Sequence, residues 1–156
     1  MKLAVIGSRT FQNYEWLEQC LLQSFLISEI ESVISGGARG ADALAVRFAR
    51  KFGLPLEIVN ADWETHGRKA GPLRNTEIVR RADAVAAFWD GHSRGTRDSI
   101  AKARMAGKRI VIFPCTPRNA SSPELAGRQN ELPATLLLHD RDRMRQMSLF
   151  PEETDE

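Results

Sequence analysis

The stretch SVISGGARGADALA, Ser32–Ala45, runs from a short apolar segment through three glycines and an arginine into helix-forming residues. An apolar run that ends in glycines and continues as a helix is typical of the turn between a strand and a helix in an α/β protein. Glycine lets the backbone take a positive φ and come close to a ligand, and the free N–H groups at the start of a helix favour an anion. The turn therefore has two interpretations, ordinary turn chemistry and an anion-binding loop.

The same order of strand and helix recurs along the chain. Apolar runs predict five strands: Lys2–Gly7, Ser32–Ser35, Leu54–Ala61, Ala84–Trp89 and Arg109–Phe113. Periodicity and capping residues predict four helices: Asn13–Leu26 capped by Asn13, Ala41–Phe52 closed by Gly53, Pro72 to about Arg81, and Thr96–Ala106 closed by Gly107.

Apolar strands that alternate with helices predict a parallel sheet covered on both faces. The expected fold class is α/β, a Rossmann-like doubly wound domain with a five-stranded parallel sheet and helices on both faces. Its switch point is expected between the first and fourth strands. We expect the Rossmann-like domain over residues 1–113. An irregular extension, residues 114–145, is expected to pack on or near it, and residues 146–156 are expected to form a flexible tail.

Length and composition are those of an ordinary globular protein. The chain has 156 residues, 42% of them hydrophobic, and a net charge of +2, which does not by itself indicate a nucleic-acid binder. Cys20 and Cys115 lack metal or redox spacing and are expected to be buried thiols. His66, His92 and His139 lack metal-ligand spacing, so we expect no metal and no cofactor. No signal peptide and no apolar run of roughly 20 residues is present, so we expect a cytoplasmic protein without a membrane partner.

Four loops follow the predicted strands at the edge where ligands of such sheets bind: Gly7–Phe11, Gly36–Asp42, Ala61–Asn75 and Asp90–Asp98. Each loop carries glycine and arginine, and arginine supplies the bidentate donors that a phosphate accepts. Together the loops hold seven basic and five acidic residues, a net charge of +2. That balance favours a pocket for a compact anion over a broad surface for long nucleic acid.

The candidate ligand-binding residues come from all four loops. They are Gly7, Ser8, Arg9, Gly36, Gly37, Arg39, Gly40, Asp42, Arg68, Gly71, Arg74, Asn75, Asp90, Gly91, Ser93, Gly95 and Thr96. Asp90 has two interpretations, a turn residue and an acceptor for a ribose hydroxyl. Trp63 and Trp89 also have two, a stacking surface for a base and a part of the core. Neither standard nucleotide-binding glycine motif is present.

Four motifs in this order resemble the YspA/YpsA-related branch of the SLOG superfamily, which includes the DprA (Smf) proteins and the Lonely Guy phosphoribohydrolases. They are GSRTF from Gly7, VISGGARGADALA from Val33, ADW…GR.AGP.RN from Ala61 and ADAVAAFWDG.SRGT from Ala82. The resemblance covers about residues 2–113. It implies a Rossmann-like fold and a nucleotide-derived ligand held by the glycine loops after the second and fourth strands. Relatives that self-associate imply a homodimer.

The resemblance leaves three functions open. The first is binding or sensing of a nucleotide-derived phosphorylated ligand. The second is hydrolysis of an N-glycosidic bond, as in the enzyme branch; Ser99 stands where that branch has its glutamate, Asp98 is one residue away, and Asp42 is a carboxylate that could replace it. The third is single-stranded DNA binding, since DprA-like proteins carry a loop similar to Ala38–Asp42.

The tail carries a separate motif. The peptide QMSLF, Gln146–Phe150, is similar to the Q-x-x-L-F peptide by which bacterial proteins dock on the DNA polymerase sliding clamp. Leu149 and Phe150 would fill a hydrophobic pocket, beside Met147, and Gln146 would end the contact with a hydrogen bond. The alternative is that these apolar residues fold back on the domain. A clamp partner would link the protein to DNA replication or repair.

Overall fold

Strand β1 (Lys2–Gly7) is the middle strand of a five-stranded parallel sheet. The computed structural model describes residues 1–120. On one side of β1 lie β2 (Ser32–Ser35) and β3 (Leu56–Ile58), and on the other lie β4 (Ala84–Trp89) and β5 (Arg109–Pro114). The strand order is β3-β2-β1-β4-β5, so the direction of winding reverses between β1 and β4. The predicted Rossmann-like, doubly wound sheet is confirmed.

Within residues 1–120, the chain forms six helices and two single turns of 3-10 helix around these strands. The helices are α1 (Tyr14–Ser24), α2 (Ala41–Lys51), α3 (Trp63–His66), α4 (Ala70–Arg81), α5 (Arg94–Met105) and α6 (Pro117–Ala120). The 3-10 turns are Ile27–Glu29 and Gly67–Lys69.

Alternation along β1 divides the core into two layers. Leu3 and Val5 point into a cluster with residues of α1 and α2, while Ala4 and Ile6 point into a cluster with residues of α4 and α5. All four side chains are 0–5% exposed. Because successive residues of a strand face opposite sides, a strand that is apolar at every position needs a helix layer on each face.

Several predicted bounds differ from the structure. α1 ends at Ser24 rather than Leu26, and α2, α5 and β5 each end one residue away from the prediction. Two further differences have a structural reason. β3 has three residues rather than the predicted Leu54–Ala61, because it lies at the sheet edge and pairs only with the four-residue β2. α5 begins at Arg94 rather than Thr96, since the carbonyl of Ser93 already accepts the first helical bond from the Arg97 N–H at 3.0 Å.

The loop predicted after β3 contains helix instead. Asp62 Oδ1 accepts a hydrogen bond from the Thr65 N–H at 3.0 Å and caps the short helix α3. α4 then begins at Ala70, two residues before Pro72. Pro72 lies in the first turn as predicted, where its missing N–H leaves no helical bond unmade.

Both cysteines are buried thiols, as expected. Cys20 is 1% exposed and Cys115 is 9% exposed, and neither forms a disulfide. Burial raises the pKa of each thiol to about 12. Neither is therefore a thiolate at neutral pH. None of the helices within residues 1–120 is long and apolar enough to cross a membrane.

Gly7 ends β1 at the point where three backbone segments meet. A Cβ at this position would contact the carbonyl oxygen of Phe88 in β4, and it would lie 2.6 Å from the Cβ of Ala41 at the start of α2. Only a glycine allows β4 and α2 to come this close to the end of β1.

Replacing Gly7 by Ala is expected to lower the free energy of unfolding by about 1–3 kcal/mol, because the added Cβ meets backbone that cannot move aside cheaply. Gly95→Ala is the matched control, since nothing lies within 4 Å of an added Cβ there and alanine favours a helix. Urea unfolding followed by circular dichroism measures both variants. Parent-like stability of Gly7→Ala would contradict the close approach.

Candidate functional site

A cavity of about 350 Å³ opens at the carboxyl edge of the sheet, at the switch point between β1 and β4. It is lined by the end of β1 and the loop after it, the turn before α2, one face of α4 and the start of α5. Its lining residues are Ile6, Gly7, Arg9, Ala38, Asp42, Arg74, Asn75, Ile78, Ser93, Gly95, Thr96 and Ser99. This set, which we call the edge pocket, includes residues from each of the four predicted loops.

Ser8 joins three of these loops through its backbone and its hydroxyl. Its N–H donates to the carbonyl of Phe88 at 2.9 Å, and its own carbonyl accepts from the Ala41 N–H at 3.3 Å. The Ser8 hydroxyl oxygen accepts from the Asp90 N–H at 3.1 Å. Ser8 is 1% exposed, so its contacts support the pocket from beneath instead of lining it.

The glycines of the second loop shape its path. Gly37 and Gly40 have φ values of +65° and +80°, which other residues rarely adopt. A Cβ at Gly40 would contact the Ser8 carbonyl oxygen and lie 2.6 Å from the Cα of Arg9. The turn before α2 therefore packs directly on the loop after β1, and this packing brings Ala38 and Arg9 into the same pocket wall.

Asp42 places a buried carboxyl group in the pocket. Its side chain accepts a hydrogen bond from the Ala38 N–H at 3.4 Å, and the residue is 6% exposed. Burial raises the pKa of Asp42 to about 6, although the Arg74 guanidinium and the N–H groups of Ala38, Gly36 and Gly7 each act to lower it. Asp42 therefore titrates near neutral pH.

Arg74 is the half-buried cation of the pocket. Its Nη1 donates to the carbonyl of Gly36 at 2.8 Å, and its Nε donates to the Asn75 side-chain oxygen at 3.3 Å. These two bonds fix the plane of the guanidinium and use two of its five N–H groups. The remaining donors are available to an acceptor in the pocket.

Asp90 organises the loop before α5. Its Oδ1 accepts from the N–H groups of His92 at 2.9 Å and Ser93 at 2.7 Å, and Gly91 has φ of +81°. This geometry is that of an Asx turn, which is the first of the two interpretations; the ribose interpretation stays a prediction. The turn presents the hydroxyls of Ser93 and Thr96 to the pocket, where Thr96 donates to Ser93 at 3.0 Å.

Ser99, at the position of the enzyme branch's glutamate, lines the pocket and donates to the Gly95 carbonyl at 3.2 Å. Asp98 lies away from it, because its Oδ2 accepts from Asn75 Nδ2 at 3.0 Å and from Lys102 Nζ at 2.7 Å. Among the described residues that line the pocket, Asp42 is the one carboxylate.

The structure brings eight of the predicted site residues into the pocket lining. They are Gly7, Arg9, Asp42, Arg74, Asn75, Ser93, Gly95 and Thr96. Arg39 and Arg68 are exposed and lie outside the lining. The other predicted residues lie behind or beside it: Ser8, Gly36, Gly37, Gly40, Gly71, Asp90 and Gly91.

Four lining residues were not among the predicted ligand-binding residues: Ile6, Ala38, Ile78 and Ser99. Helical spacing contained the signal for two of them. Ile78 lies four residues after Arg74, and Ser99 lies four residues after Gly95, so each shares a helix face with a predicted residue.

A second hollow, also of about 350 Å³, lies on the other side of Arg74. It is lined in part by Leu73, Glu77 and Arg81. Glu77 accepts a hydrogen bond from Arg81 at 2.6 Å, so these two charges are paired with each other. This hollow offers an anion less free positive charge than the edge pocket.

The two tryptophans that the sequence left open differ in the structure. Trp89 is half-buried, packs against the core and donates its indole N–H to the Ser93 carbonyl at 3.2 Å. Trp63 is 54% exposed. The predicted clamp peptide, Gln146–Phe150, lies outside the described residues.

Comparison with known proteins identifies one family and two solved structures with a similar fold. Residues 1–66 match the model of the YspA, cpYpsA-related SLOG family. The gene 61 protein of Mycobacterium phage D29 is 38% identical over an alignment of 124 positions, which covers 72% of this chain and 95% of that protein.

Two solved structures of DNA processing protein A (DprA) have the same fold. The Streptococcus pneumoniae protein has a TM-score of 0.61 and 20% identity over 76% of this chain. The Helicobacter pylori protein, described for its unique single-stranded DNA binding mode, has a TM-score of 0.56 and 17% identity over 80% of this chain and 75% of its own. The chain spans about half of the pneumococcal protein, 52% of its length.

The identity to the phage protein extends over nearly its whole length, and the family model covers the first two of the four motifs. The chain therefore belongs to the YspA, cpYpsA-related SLOG family.

Proposed function

We propose that the edge pocket binds a backbone phosphate of single-stranded DNA, which makes this chain a DprA-like DNA-binding protein. The observation that carries the proposal is the convergence of Arg9, Arg74 and the start of α5 on one cavity at the sheet's switch point. The start of a helix and arginine donors both favour phosphate. The fold likeness to the H. pylori protein, whose description names single-stranded DNA, supports this choice of ligand.

The pocket's hydrogen-bonding groups suit a phosphate. Arg74 retains guanidinium donors that its bonds to Gly36 and Asn75 do not use. The Ser93 hydroxyl accepts from Thr96, so its own proton is directed elsewhere and can donate to a ligand oxygen. The cavity volume of about 350 Å³ lies in the range of small-ligand sites. A duplex needs a wider basic surface, so one nucleotide of a single strand fits better.

A free nucleotide-derived ligand is the second candidate, and the near-neutral charge of the four loops favours it. If such a ligand were hydrolysed at its N-glycosidic bond, Asp42 would have to act in place of the glutamate that Ser99 replaces. Competition separates the two candidates. If the pocket binds a DNA strand, oligo-dT displaces the bound probe far better than the mononucleotide does. If the pocket binds a small ligand, the two competitors displace the probe equally well. Chromatography of the mononucleotide after incubation reports any hydrolysis.

Arg74→Ala is expected to weaken oligo-dT binding by about 10- to 150-fold, because a charge-assisted hydrogen bond contributes roughly 1.5–3 kcal/mol. The slope of log affinity against log salt should fall by about 0.7, the value for one lost phosphate contact on a single strand. Fluorescence anisotropy at several salt concentrations measures both quantities.

Arg80→Ala is the matched control for Arg74→Ala. Arg80 lies on the same helix, is exposed and pairs with Glu77 at 2.7 Å, away from the pocket. If Arg80→Ala and Arg74→Ala lose the same affinity, the effect comes from general charge and the proposed phosphate contact is wrong. Thermal melts confirm that each variant is folded.

Oligo-dT binding is expected to strengthen as the pH falls from 7.5 to 5.5, because Asp42, whose pKa burial raises to about 6, loses a charge that repels phosphate. The affinity for oligo-dT increases by about tenfold for each unit by which bound DNA raises the pKa of Asp42 further. A phosphodiester keeps its charge in this range, which makes DNA a cleaner probe than a monophosphate, whose second pKa is near 6.

Asp42→Asn is the control for the pH response, since it removes this one carboxyl group and keeps every other ionisable group of the protein. The variant should bind at pH 7.5 about as well as the parent does at pH 5.5, and an unchanged pH response in it would exclude Asp42 as the cause. Protonation also affects folding. Because the native pKa lies above the 3.8 of a free aspartate, the contribution of Asp42 to stability increases as the pH falls from about 6 to 4.

We also propose that the tail peptide Gln146–Phe150 binds the sliding clamp, on the strength of its sequence. Replacing Leu149 and Phe150 by Ala should abolish binding to a bacterial clamp in surface plasmon resonance, because both apolar anchors are removed. Glu152→Ala, just beyond the motif, is expected to leave binding unchanged. A parent protein that does not bind the clamp would refute this partner.

A further inference from the structure

The indole of Trp63 is held in a defined position at the start of α3. The Asp62 cap fixes the first turn of this helix through the Thr65 N–H. The Trp63 ring lies over Gly71, and its Cη2 atom would be 3.4 Å from a Cβ at that residue. The ring therefore lies against α4 at Gly71, while Trp63 as a residue is 54% exposed.

Gly71 lies on the face of α4 that leads into the edge pocket. Arg74 and Asn75 follow it by three and four residues, so all three share one side of the helix. Both of these residues line the pocket. Since helices in a parallel α/β sheet begin at the carboxyl edge of the strands, Gly71 is one turn, about 5.4 Å, closer to the opening than they are. The Trp63 indole therefore lies beside the stretch of α4 that directly precedes these two lining residues.

The other two tryptophans of the chain pack in or against the core. Trp16 is 4% exposed within the core, and Trp89 is packed and hydrogen-bonded to the loop before α5. Trp63 therefore combines an accessible ring, a supported position and a place next to the arginine proposed to hold phosphate. A single exposed apolar residue is common on protein surfaces and does not indicate a binding site. The combination of these three features at Trp63 does indicate one.

We propose that Trp63 forms a base-binding subsite, in which its indole stacks on the base of the nucleotide whose phosphate occupies the edge pocket. This inference rests on the proposed function and deepens it. Every base has a flat π surface, so stacking on an indole adds affinity with little preference for sequence. The subsite and Arg74 would then recognise the two ends of one nucleotide, its base and its phosphate.

The test compares oligo-dT with an oligonucleotide of the same length that contains only abasic sites, by anisotropy at low salt. Trp63→Ala is expected to weaken oligo-dT binding by about 5- to 150-fold, the range for loss of one stacked base. Trp63→Phe, which keeps an aromatic ring, should recover most of that loss. On the abasic strand, which has no base to stack, Trp63→Ala should bind as the parent does.

Met105→Ala is the control for loss of an exposed apolar side chain. Met105 is 88% exposed at the last residue of α5, the end opposite the pocket. Parent-like binding of oligo-dT by Trp63→Ala would overturn the stacking inference alone, as would an equal loss on the abasic strand. Failure of the parent protein to bind either strand would overturn the proposed function and this inference together.

Discussion

The structure depends on a close approach of three backbone segments around Ser8. The Ser8 N–H and hydroxyl tie the end of β1 to β4 and its loop, and the Ser8 carbonyl ties it to the start of α2. Gly7 and Gly40 leave no side-chain volume between these segments. Since the segments come from distant parts of the sequence, the junction sets the width of the switch point and therefore the shape of the edge pocket. The polar groups of Ser8 form hydrogen bonds within the protein, as buried polar groups generally do. Ser8, at the centre of the junction, is 1% exposed.

The electrostatics of the pocket follow from this packing. Asp42 is buried because the turn before α2 folds over it, and burial favours its neutral form. Arg74 reaches across from α4 and is oriented by the Gly36 carbonyl and by Asn75. A fixed cation beside a carboxyl group that titrates near neutral pH makes an anion site whose strength depends on pH. Arg74 also lies one helical turn from Gly71, the α4 residue against which the Trp63 ring of α3 packs, so α4 would position both the phosphate site and the base site.

The sequence was sufficient for the fold and for the location of the pocket. β1, β2 and β4 have the predicted bounds, because a buried parallel strand is apolar throughout and its glycine turns are distinctive. The helix α3 was missed because four residues carry too little periodicity to be recognised. Arg39 and Arg68 were predicted at the site but lie outside its lining, since the direction of an exposed side chain depends on the path of its loop and not on its neighbours in sequence.

Amide chemical shifts show most directly whether single-stranded DNA enters the edge pocket. An ¹⁵N–¹H correlation spectrum of the full chain would be recorded during titration with a short dT oligonucleotide. We expect the largest changes at the N–H groups of Gly7, Arg74, Gly95 and Thr96, together with the indole N–H of Trp63. Shift changes that leave these signals fixed and cluster on another face of the described domain would contradict this expectation.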